Sequence, residues 1–208
     1  MQKLAGGGNH GRPGLRRPGG QGPVRGGALQ ELIREGKIRA VGISNSKPQD
    51  LEEYEKYGTV ALVQEQFSLL APYHGVDYFP MANQHQTTFQ VYGALEEGFL
   101  TDPCYVDRTF PKGDVRGKLP WIHEPIKGSI HKLFDVMKPL TEKYHCSYSN
   151  LVQAWTLLQN PGINLLTGFT RPETMINTCE SLRVCLSPED AALMEEAAKP
   201  AQVRELDK

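Results

Sequence analysis

The sequence lacks any hydrophobic run that approaches the roughly 18 residues needed for a membrane span, so we expect no membrane partner. Its N-terminal residues also lack the uninterrupted apolar stretch of a signal peptide, and we predict a cytoplasmic protein. Cysteine is scarce, since the four present are scattered and form no C-x-x-C pair. We therefore expect reduced thiols in a reducing compartment, without a disulfide framework.

Motifs of several large enzyme classes are absent as well. There is no G-x-G-x-x-G after a strand, no G-x-x-x-x-G-K-[ST], no H-E-x-x-H and no G-x-S-x-G. The six histidines lie apart from one another, and we interpret each as a solvated surface residue. We predict no metal site.

Net charge is nearly absent, but the charges that are present divide unevenly along the chain. Residues 1–27 hold ten glycines, three prolines and five basic residues, with no acidic or aromatic residue. Residues 28–208 carry a formal charge of −6, from 18 basic and 24 acidic residues. Glycine loses the most backbone entropy on ordering and nothing here could be buried in return, so we predict a disordered tail over 1–27.

An Arg-Gly tail could also follow the phosphate backbone of a nucleic acid, as the segment VRGG suggests. The tail has no aromatic residue on which a base could stack. Composition therefore favours a passive extension, and we expect no nucleic-acid partner.

The hydrophobic pattern of residues 28–208 alternates between strand and helix. Short apolar segments predict buried strands at 38–44, 60–64, 88–93 and 163–168. Helical periods occur at 28–36, 46–57, 75–86, 129–144, 149–159, 171–182 and 187–198, and residues 96–128 predict a long irregular loop. In the second of these helices, Ser46 is the expected N-cap. Strand–helix alternation predicts an α/β fold with a parallel sheet covered by helices.

Polar residues follow the predicted strands directly. They are Ser44 and Asn45, then Gln64, then Tyr92, then Gly168 with Thr170 and Arg171. Because the carboxyl ends of parallel strands face one side of a sheet, these residues would converge on one mouth. Strand ends also carry turn residues for purely structural reasons, so a site and ordinary turns both remain open.

Five segments carry a family resemblance: ELIREGKIRAVGISN, LVQEQFSLL, VYGALEEGFLT, FPKGDVR, and LLTGFTRPETMINTCESL followed by LSPED. In order and spacing they resemble the C-terminal half of an aldo-keto reductase, over about 180 of the 208 residues. That resemblance implies a metal-free oxidoreductase that reduces small carbonyl compounds with NADP(H). It also implies a partial (β/α)8 TIM barrel over 28–208, with strands resembling the fifth to eighth.

The resemblance assigns nicotinamide-binding roles to the ends of the first three strands. Ser44, Asn45 and Gln64 match residues that hydrogen-bond the nicotinamide carboxamide, and Tyr92 matches an aromatic residue that stacks on the nicotinamide ring. A hydroxyl and an amide suit the carboxamide, which needs both a donor and an acceptor. Positions whose backbone lines the pyrophosphate in the family are occupied here by Gly93, Ala94 and Leu95, in place of Ser-Pro-Leu.

The resemblance places the adenosine end of the cofactor after the fourth strand. The loop that holds the 2′-phosphate is matched by Gly168, Thr170 and Arg171. Further cofactor contacts are implied for Thr174, Asn177 and Thr178, and from the long loop for Asp114 and Arg116. The pair Asn177-Thr178 stands where the family usually has Glu-Asn against the adenine.

The family's catalytic residues have no counterpart in this sequence. The resemblance places a catalytic Asp, Tyr and Lys on the first three strands and a His at the end of the fourth, and no segment here matches those strands. His10 lies near the matching distance, but residues 1–9 do not form an apolar strand, so we predict no catalytic residue. The match stops at Gly26–Gly27, as in a truncated gene product.

Three hypotheses follow for the function. The first is an oxidoreductase-family protein that keeps the cofactor half, and the second is a non-catalytic NADPH-binding or regulatory subunit. The third is a product that does not fold alone, because four strands would leave two open edges and one bare apolar sheet face. Neither the substrate nor the oligomeric state follows from the sequence.

Overall fold

The computed structural model describes residues 22–203, and the predicted tail residues 1–21, with His10, lie outside this range. The strands are β1 Val41–Ser44, β2 Val60–Gln66, β3 Thr88–Tyr92 and β4 Ile163–Leu165. The helices are α1 Gly22–Arg34, α2 Pro48–Glu55, α3 Tyr73–His85, α4 Pro103–Val106, α5 Ile126–Tyr144, α6 Tyr148–Leu158, α7 Pro172–Glu180 and α8 Pro188–Ala198. Short 3-10 turns lie at Glu96–Gly98, Val115–Lys118, Pro120–Ile122, Ser181–Arg183 and Lys199–Ala201.

The four strands form one parallel sheet in the order β1-β2-β3-β4. This confirms the predicted α/β architecture and the predicted order of neighbours. In the register of the sheet, Ser44 pairs with Gln64, and Gln64 pairs with Gln90. Asn164 of β4 pairs with Gln90 on its other side. Strand ends that are far apart in sequence are thereby brought to one edge of the sheet.

One face of the sheet is covered by helices and forms the core. Val63 of β2 and Phe67, the residue that follows β2, point into this layer and are almost fully buried. The ring of Phe67 stacks on Trp155 of α6 at 5.5 Å between centroids and meets Phe89 of β3 edge-on at 6.4 Å. Burial of these rings fixes which face of each strand turns inward, because alternate residues of a strand point to opposite sides.

The opposite face of the sheet is polar, so the predicted bare apolar face is wrong. Gln64 Nε2 donates to Gln90 Oε1 at 2.6 Å, and Gln90 Nε2 donates to Asn164 Oδ1 at 2.7 Å. At the other end of this ladder, Ser44 Oγ donates to Gln64 Oε1 at 3.4 Å. The ladder joins amide side chains from β2, β3 and β4 and a hydroxyl from β1, and a polar face of this kind does not need a covering layer to be stable in water.

Exposed apolar surface lies instead beside β4 and on α7. Its members are large side chains that are each at least 41% exposed: Leu166, Phe169, Met175, Ile176 and Leu182. Helix α7 contains no buried residue. Part of the exposed apolar surface of residues 22–203 therefore lies around the open edge of the sheet at β4.

Helix α1 begins at Gly22, so the prediction of an irregular segment over 22–27 is wrong for these residues. A Cβ atom on Gly26 would lie 2.7 Å from Cδ2 of Tyr57. The absence of a side chain at Gly26 therefore lets this part of α1 pack directly against the Tyr57 ring. The glycine that favours disorder in an isolated chain permits close packing here.

Strand β1 is shorter than predicted because its expected first residues end the preceding helix. The backbone N–H groups of Lys37 and Ile38 donate to the carbonyl of Leu32 at 2.9 and 3.3 Å. These bonds satisfy the C-terminal end of α1, with Gly36 in the left-handed conformation at φ 69°. The strand starts only at Val41, where the chain reaches β2.

A Tyr–Lys–Asp cluster joins α5 to α8. The hydroxyl of Tyr144 donates to Asp190 Oδ2 and accepts from the backbone N–H of Ser187 at 3.0 Å. Lys143 Nζ lies 2.6 Å from the same oxygen of Asp190, and these hydrogen bonds lower the pKa of that carboxyl. The cluster holds the first turn of α8 against the end of α5.

We expect Tyr144→Phe to lower the free energy of unfolding by about 1–2 kcal/mol, because it removes one hydrogen bond to Asp190, which keeps Lys143, and leaves the Ser187 N–H without its acceptor. Urea unfolding followed by circular dichroism measures this change. Tyr54→Phe, in the second half of α2, is the matched control. A variant as stable as the parent chain would show that the cluster does not hold α8.

Candidate functional site

The end of β1 places Ser44 and Asn45 at the carboxyl edge of the sheet. Asn45 adopts the left-handed conformation at φ 51°, which asparagine tolerates better than most residues. Its backbone N–H donates to the Gln64 carbonyl at 3.2 Å, and its Nδ2 donates to Ser44 Oγ at 3.3 Å. The turn after β1 is thus tied to β2 through Asn45.

Tyr92, at the end of β3, reaches over β2 to the same turn. Its hydroxyl donates to Asn45 Oδ1 at 2.5 Å. Burial, with smaller contributions from the charges of Glu65 and Glu96, raises the pKa of Tyr92 to about 12. The hydroxyl therefore stays protonated at neutral pH, and its hydrogen bond fixes the orientation of the ring.

The amide of Gln64 is oriented by its neighbours in the ladder. Its Nε2 donates to Gln90, and its Oε1 accepts from Ser44. Ser44, Asn45, Gln64 and Tyr92 form one hydrogen-bonded group at the carboxyl edge. The structure thus brings together the four residues predicted at the ends of the first three strands, although Gln64 lies two residues before the observed end of β2.

Behind this group lies a buried acid that sequence reasoning missed. Glu65 is 1% exposed, and its Oε1 accepts from the backbone N–H of Ser46 at 2.7 Å and from Ser46 Oγ at 2.9 Å. The Tyr78 hydroxyl of α3 donates to Ser46 Oγ at 2.9 Å. Burial raises the pKa of Glu65 to about 7, although the hydrogen bonds from Ser46 oppose this shift.

The predicted N-cap of α2 is therefore wrong, because Ser46 is held by Glu65. The residue that caps α2 is Lys47, whose backbone N–H donates to Asp50 Oδ2 at 2.8 Å. One signal in the sequence could have revealed Glu65: strand alternation puts it on the same buried face as Val63 and Phe67. An acid at such a position needs hydrogen-bond partners.

The turn after β3 contains a second buried acid. Gly93 has φ 72°, and a Cβ atom there would lie 3.3 Å from Gln66 Cγ, so the position disfavours a side chain. Ala94 is buried, and Leu95 packs against the core. Glu96, which is 2% exposed, accepts from Ser68 Oγ and from Gln66 Nε2. These contacts fix the turn that the resemblance places along the pyrophosphate.

The residues after β4 lie on the exposed side of α7. Gly168, Thr170 and Arg171 are exposed, and Arg171 is the N-cap of α7. Thr174 is exposed one turn further on, and Thr178 is half-buried. Within residues 22–203 no hydrogen bond joins these side chains to the group at Ser44 and Tyr92, so they form a separate cluster.

Asn177 is engaged with helix α6. Its Nδ2 donates to Ser147 Oγ at 3.3 Å, and Asn150 Nδ2 donates to its carbonyl at 2.5 Å. A cavity of about 440 Å³ opens beside it, between the α5–α6 turn and α7. Asn177 thus lines a cavity while it also joins α7 to α6.

Asp114 and Arg116 bind each other. Arg116 donates to both carboxylate oxygens of Asp114, at 3.0 and 2.6 Å, and to the Tyr105 hydroxyl at 2.7 Å. This guanidinium lowers the pKa of Asp114 to about 2. The contacts brace the long loop, which leaves the predicted cofactor role of the pair without separate support.

The described part of the chain, residues 22–203, has neither a metal-ligand cluster nor a membrane-spanning helix. No group of three or more His, Cys, Asp or Glu side chains there could hold a metal ion. No helix there is long and apolar enough to cross a membrane.

A parallel sheet with one helix-covered face and polar residues at its carboxyl edge is the arrangement seen in β/α barrels, which bind their ligands at that edge. Comparison with known proteins identifies the family. The chain belongs to the aldo/keto reductase family, whose family model matches residues 26–199. This confirms the family resemblance, and members of this family are oxidoreductases.

Curated relatives and solved structures agree with this assignment. The NADH-specific methylglyoxal reductase of Escherichia coli (strain K12) is 32% identical over 171 residues, which are 82% of this chain and 52% of the relative. The aldo-keto reductase YhdN of Bacillus subtilis (strain 168) is 26% identical over 164 residues, 78% of this chain and 49% of the relative. The structure of the glycerol dehydrogenase from Gluconobacter oxydans superimposes with a TM-score of 0.79 and 27% identity, covering 88% of this chain and 55% of that one. The chain thus spans about half the length of the relatives it matches.

Proposed function

We propose that this chain is the cofactor-binding half of an NADP(H)-dependent reductase of small carbonyl compounds, with β1 to β4 as the fifth to eighth strands of the family barrel. The observation that carries the proposal is the hydrogen-bonded group of Ser44, Asn45, Gln64 and Tyr92 at the carboxyl edge. These are the residue types, in the spacing, that the family uses around the nicotinamide.

In this proposal the group binds the nicotinamide end of the cofactor. The Ser44 hydroxyl and the Gln64 amide supply a donor and an acceptor for the carboxamide. The ring of Tyr92, held at its hydroxyl by Asn45, stacks on the nicotinamide and leaves the other face open. The bound cofactor would supply the hydride, and the residues of this chain would orient it.

The adenosine end would lie at the start of α7. Arg171 is exposed there, and no side chain caps the N-terminal N–H groups of this helix. The helix dipole favours an anion near this N-terminus, and a guanidinium can clamp a phosphate through two hydrogen bonds. The proposal therefore includes a preference for the 2′-phosphate of NADPH.

We expect Arg171→Ala to weaken NADPH binding about 10- to 100-fold and to leave NADH binding nearly unchanged, since only NADPH carries the 2′-phosphate. Titration followed by cofactor fluorescence measures both dissociation constants. Arg183→Ala, an exposed arginine paired with Glu180 just beyond α7, is the matched control.

Equal weakening of both cofactors by Arg171→Ala would remove Arg171 from this role. The curated relative from Escherichia coli is named as NADH-specific, so tighter binding of NADH by the unchanged chain would contradict the NADPH preference. A chain that binds neither cofactor would contradict the proposed function itself.

A second candidate is a non-catalytic NADPH-binding or regulatory subunit. It is favoured by the position of the Tyr–Lys–Asp cluster. Tyr144 lies between α5 and α8, away from the strand ends, and its hydroxyl donates to Asp190. The two candidates share the cofactor site and differ in catalysis.

We also propose a cytoplasmic location, supported by cysteines that are all free thiols: Cys104, Cys146, Cys179 and Cys185.

A further inference from the structure

A carboxylate lies directly behind the turn that follows β1. Glu65 is the neighbour of Gln64 in β2, and because strand residues alternate, it points away from the amide ladder into the helix-covered layer. An acid in this layer costs the fold free energy unless its hydrogen bonds compensate. Buried acids with perturbed pKa values cluster at functional sites.

Both polar groups of Ser46 are held by this carboxylate. The backbone N–H and the hydroxyl of Ser46 converge on Glu65 Oε1 at 2.7 and 2.9 Å. The hydroxyl also accepts from Tyr78 at 2.9 Å, so that the chain of donors runs from α3 through Ser46 to β2. Hydrogen bonds to an ionised acceptor are roughly twice as strong as neutral ones, so the hold on Ser46 depends on the charge of Glu65.

The hold on Ser46 is transmitted to Asn45, the residue before it. Asn45 has φ 51°, a conformation that needs surrounding contacts to persist. The backbone N–H of Asn45 donates to the Gln64 carbonyl at 3.2 Å, and the N–H of the next residue, Ser46, donates to Glu65. Both ends of Asn45 are therefore anchored on β2. In this conformation its side chain accepts from Tyr92, which orients the aromatic ring.

Three further elements present titratable groups to Glu65. Asp50 of α2 adds a like charge and favours the protonated form of Glu65. Tyr78 of α3 and Tyr92 of β3 both have pKa values raised by burial, so they stay neutral across the physiological range. Glu65 is therefore the group in this cluster whose charge changes near neutral pH.

We propose that Glu65 is a positioning residue of the cofactor site: its ionised form grips Ser46, fixes Asn45 and Tyr92, and makes cofactor binding stronger as pH rises through neutrality. This inference rests on the proposed function for its cofactor, whereas the coupling of Glu65 to Ser46 stands without it. Since the pKa of Glu65 is raised to about 7, the grip is weak at pH 5.5 and complete at pH 8.5.

The coupling is tested on the free chain by amide ¹H–¹⁵N spectra of the full-length protein between pH 5.5 and 8.5. We expect the Ser46 and Asn45 amides to titrate with a midpoint near 7, and Glu65→Gln to abolish that titration while it keeps an acceptor for Ser46. Asp50→Asn is the matched control, and it should keep the titration with a lower midpoint. A Ser46 amide that does not move with pH, or that moves equally in Glu65→Gln, would overturn the proposal.

The positioning role is tested by the dissociation constant of NADH over the same pH range, because the 2′-phosphate of NADPH itself changes charge at about pH 6. We expect binding about 3- to 10-fold tighter at pH 8.5 than at pH 5.5 in the parent chain, no such change in Glu65→Gln, and weak binding at every pH in Glu65→Ala. A pH dependence that survives in Glu65→Gln refutes the positioning role. Absent binding at every pH, together with a titrating Ser46 amide, refutes the proposed function and leaves the Glu65–Ser46 coupling standing.

Discussion

The purified 208-residue chain is expected to show no saturable, aldehyde-dependent oxidation of NADPH. Reduction of a carbonyl needs a proton donor beside the oxygen, and general acid catalysis typically contributes about 10²- to 10⁴-fold to the rate. Within residues 22–203, the hydroxyl groups of Tyr92 and Tyr144 already donate to Asn45 and Asp190. Tyr92 donates its proton to Asn45, and its pKa of about 12 is far from the value that suits a general acid at neutral pH.

Tyr144 has both an aspartate and a lysine beside it, which are the residue types that the family places around its catalytic tyrosine. Its hydroxyl donates to Asp190, and Lys143 Nζ lies 5.2 Å from the centre of its ring. The cluster lies in the helix layer between α5 and α8, whereas the proposed nicotinamide site lies at the strand ends. It resembles a catalytic set in composition and acts as a structural contact.

The measurement follows NADPH absorbance with a reactive aromatic aldehyde at several concentrations. Tyr92→Phe, His10→Ala and Tyr144→Phe are prepared alongside the parent chain. A saturable aldehyde-dependent rate that any of these variants abolishes would show that the chain holds its own catalytic centre. That outcome would favour the reductase over the non-catalytic cofactor-binding subunit.

Glu65→Gln is expected to stabilise the chain at pH 8 and to have little effect at pH 4.5. The pKa of Glu65 is about 7 in the fold and 4.5 in its reference state, so the folded chain binds more protons than the unfolded chain between these values. The free energy of unfolding therefore falls as pH rises from about 4.5 to about 7, and it changes no further above that range through this group. A glutamine stays neutral and avoids this loss, which we place at about 1–3 kcal/mol at pH 8.

Urea unfolding of both chains at pH 4.5, 6, 7 and 8 gives the difference directly. The control is Asp77→Asn, which removes one carboxylate from the exposed side of α3, outside the proposed site. A Glu65→Gln chain that is less stable than the parent at pH 8 would contradict the expected sign. That result would mean that the ionised carboxylate supports the fold as well as the turn.

The two expected effects of Glu65 have opposite signs for a physical reason. Its ionisation costs the fold free energy because the carboxylate is buried, and it strengthens the hydrogen bonds that hold Ser46. The ionised form of Glu65 therefore lowers the stability of the fold and supports the geometry of the site. Such an opposition is common where a site needs a strained backbone. Asn45, with its positive φ, is the residue that requires such support.

Strand order and helix positions could be predicted from the sequence because they depend on local pattern. The predicted strand 60–64 lies inside β2, and the predicted strand 88–93 covers β3 and ends one residue beyond it. Helix α3, at Tyr73–His85, also lies close to its predicted range although its hydrophobic period is weak. Errors arose where a residue has two possible partners, as at Ser46, which the local pattern assigned to α2 and the tertiary structure assigns to Glu65.

The sequence alone determined the family, the parallel α/β class and the residue types at the strand ends, because each of these depends on short continuous segments of the sequence. Tertiary structure decided how those residues meet: Gln64 with Gln90, Tyr92 with Asn45, and Glu65 with Ser46. It also decided that the open sheet face is polar and that Gly26 belongs to a helix. Each of these depends on which side chains from distant segments come within hydrogen-bond or van der Waals distance, and only the folded chain sets those distances.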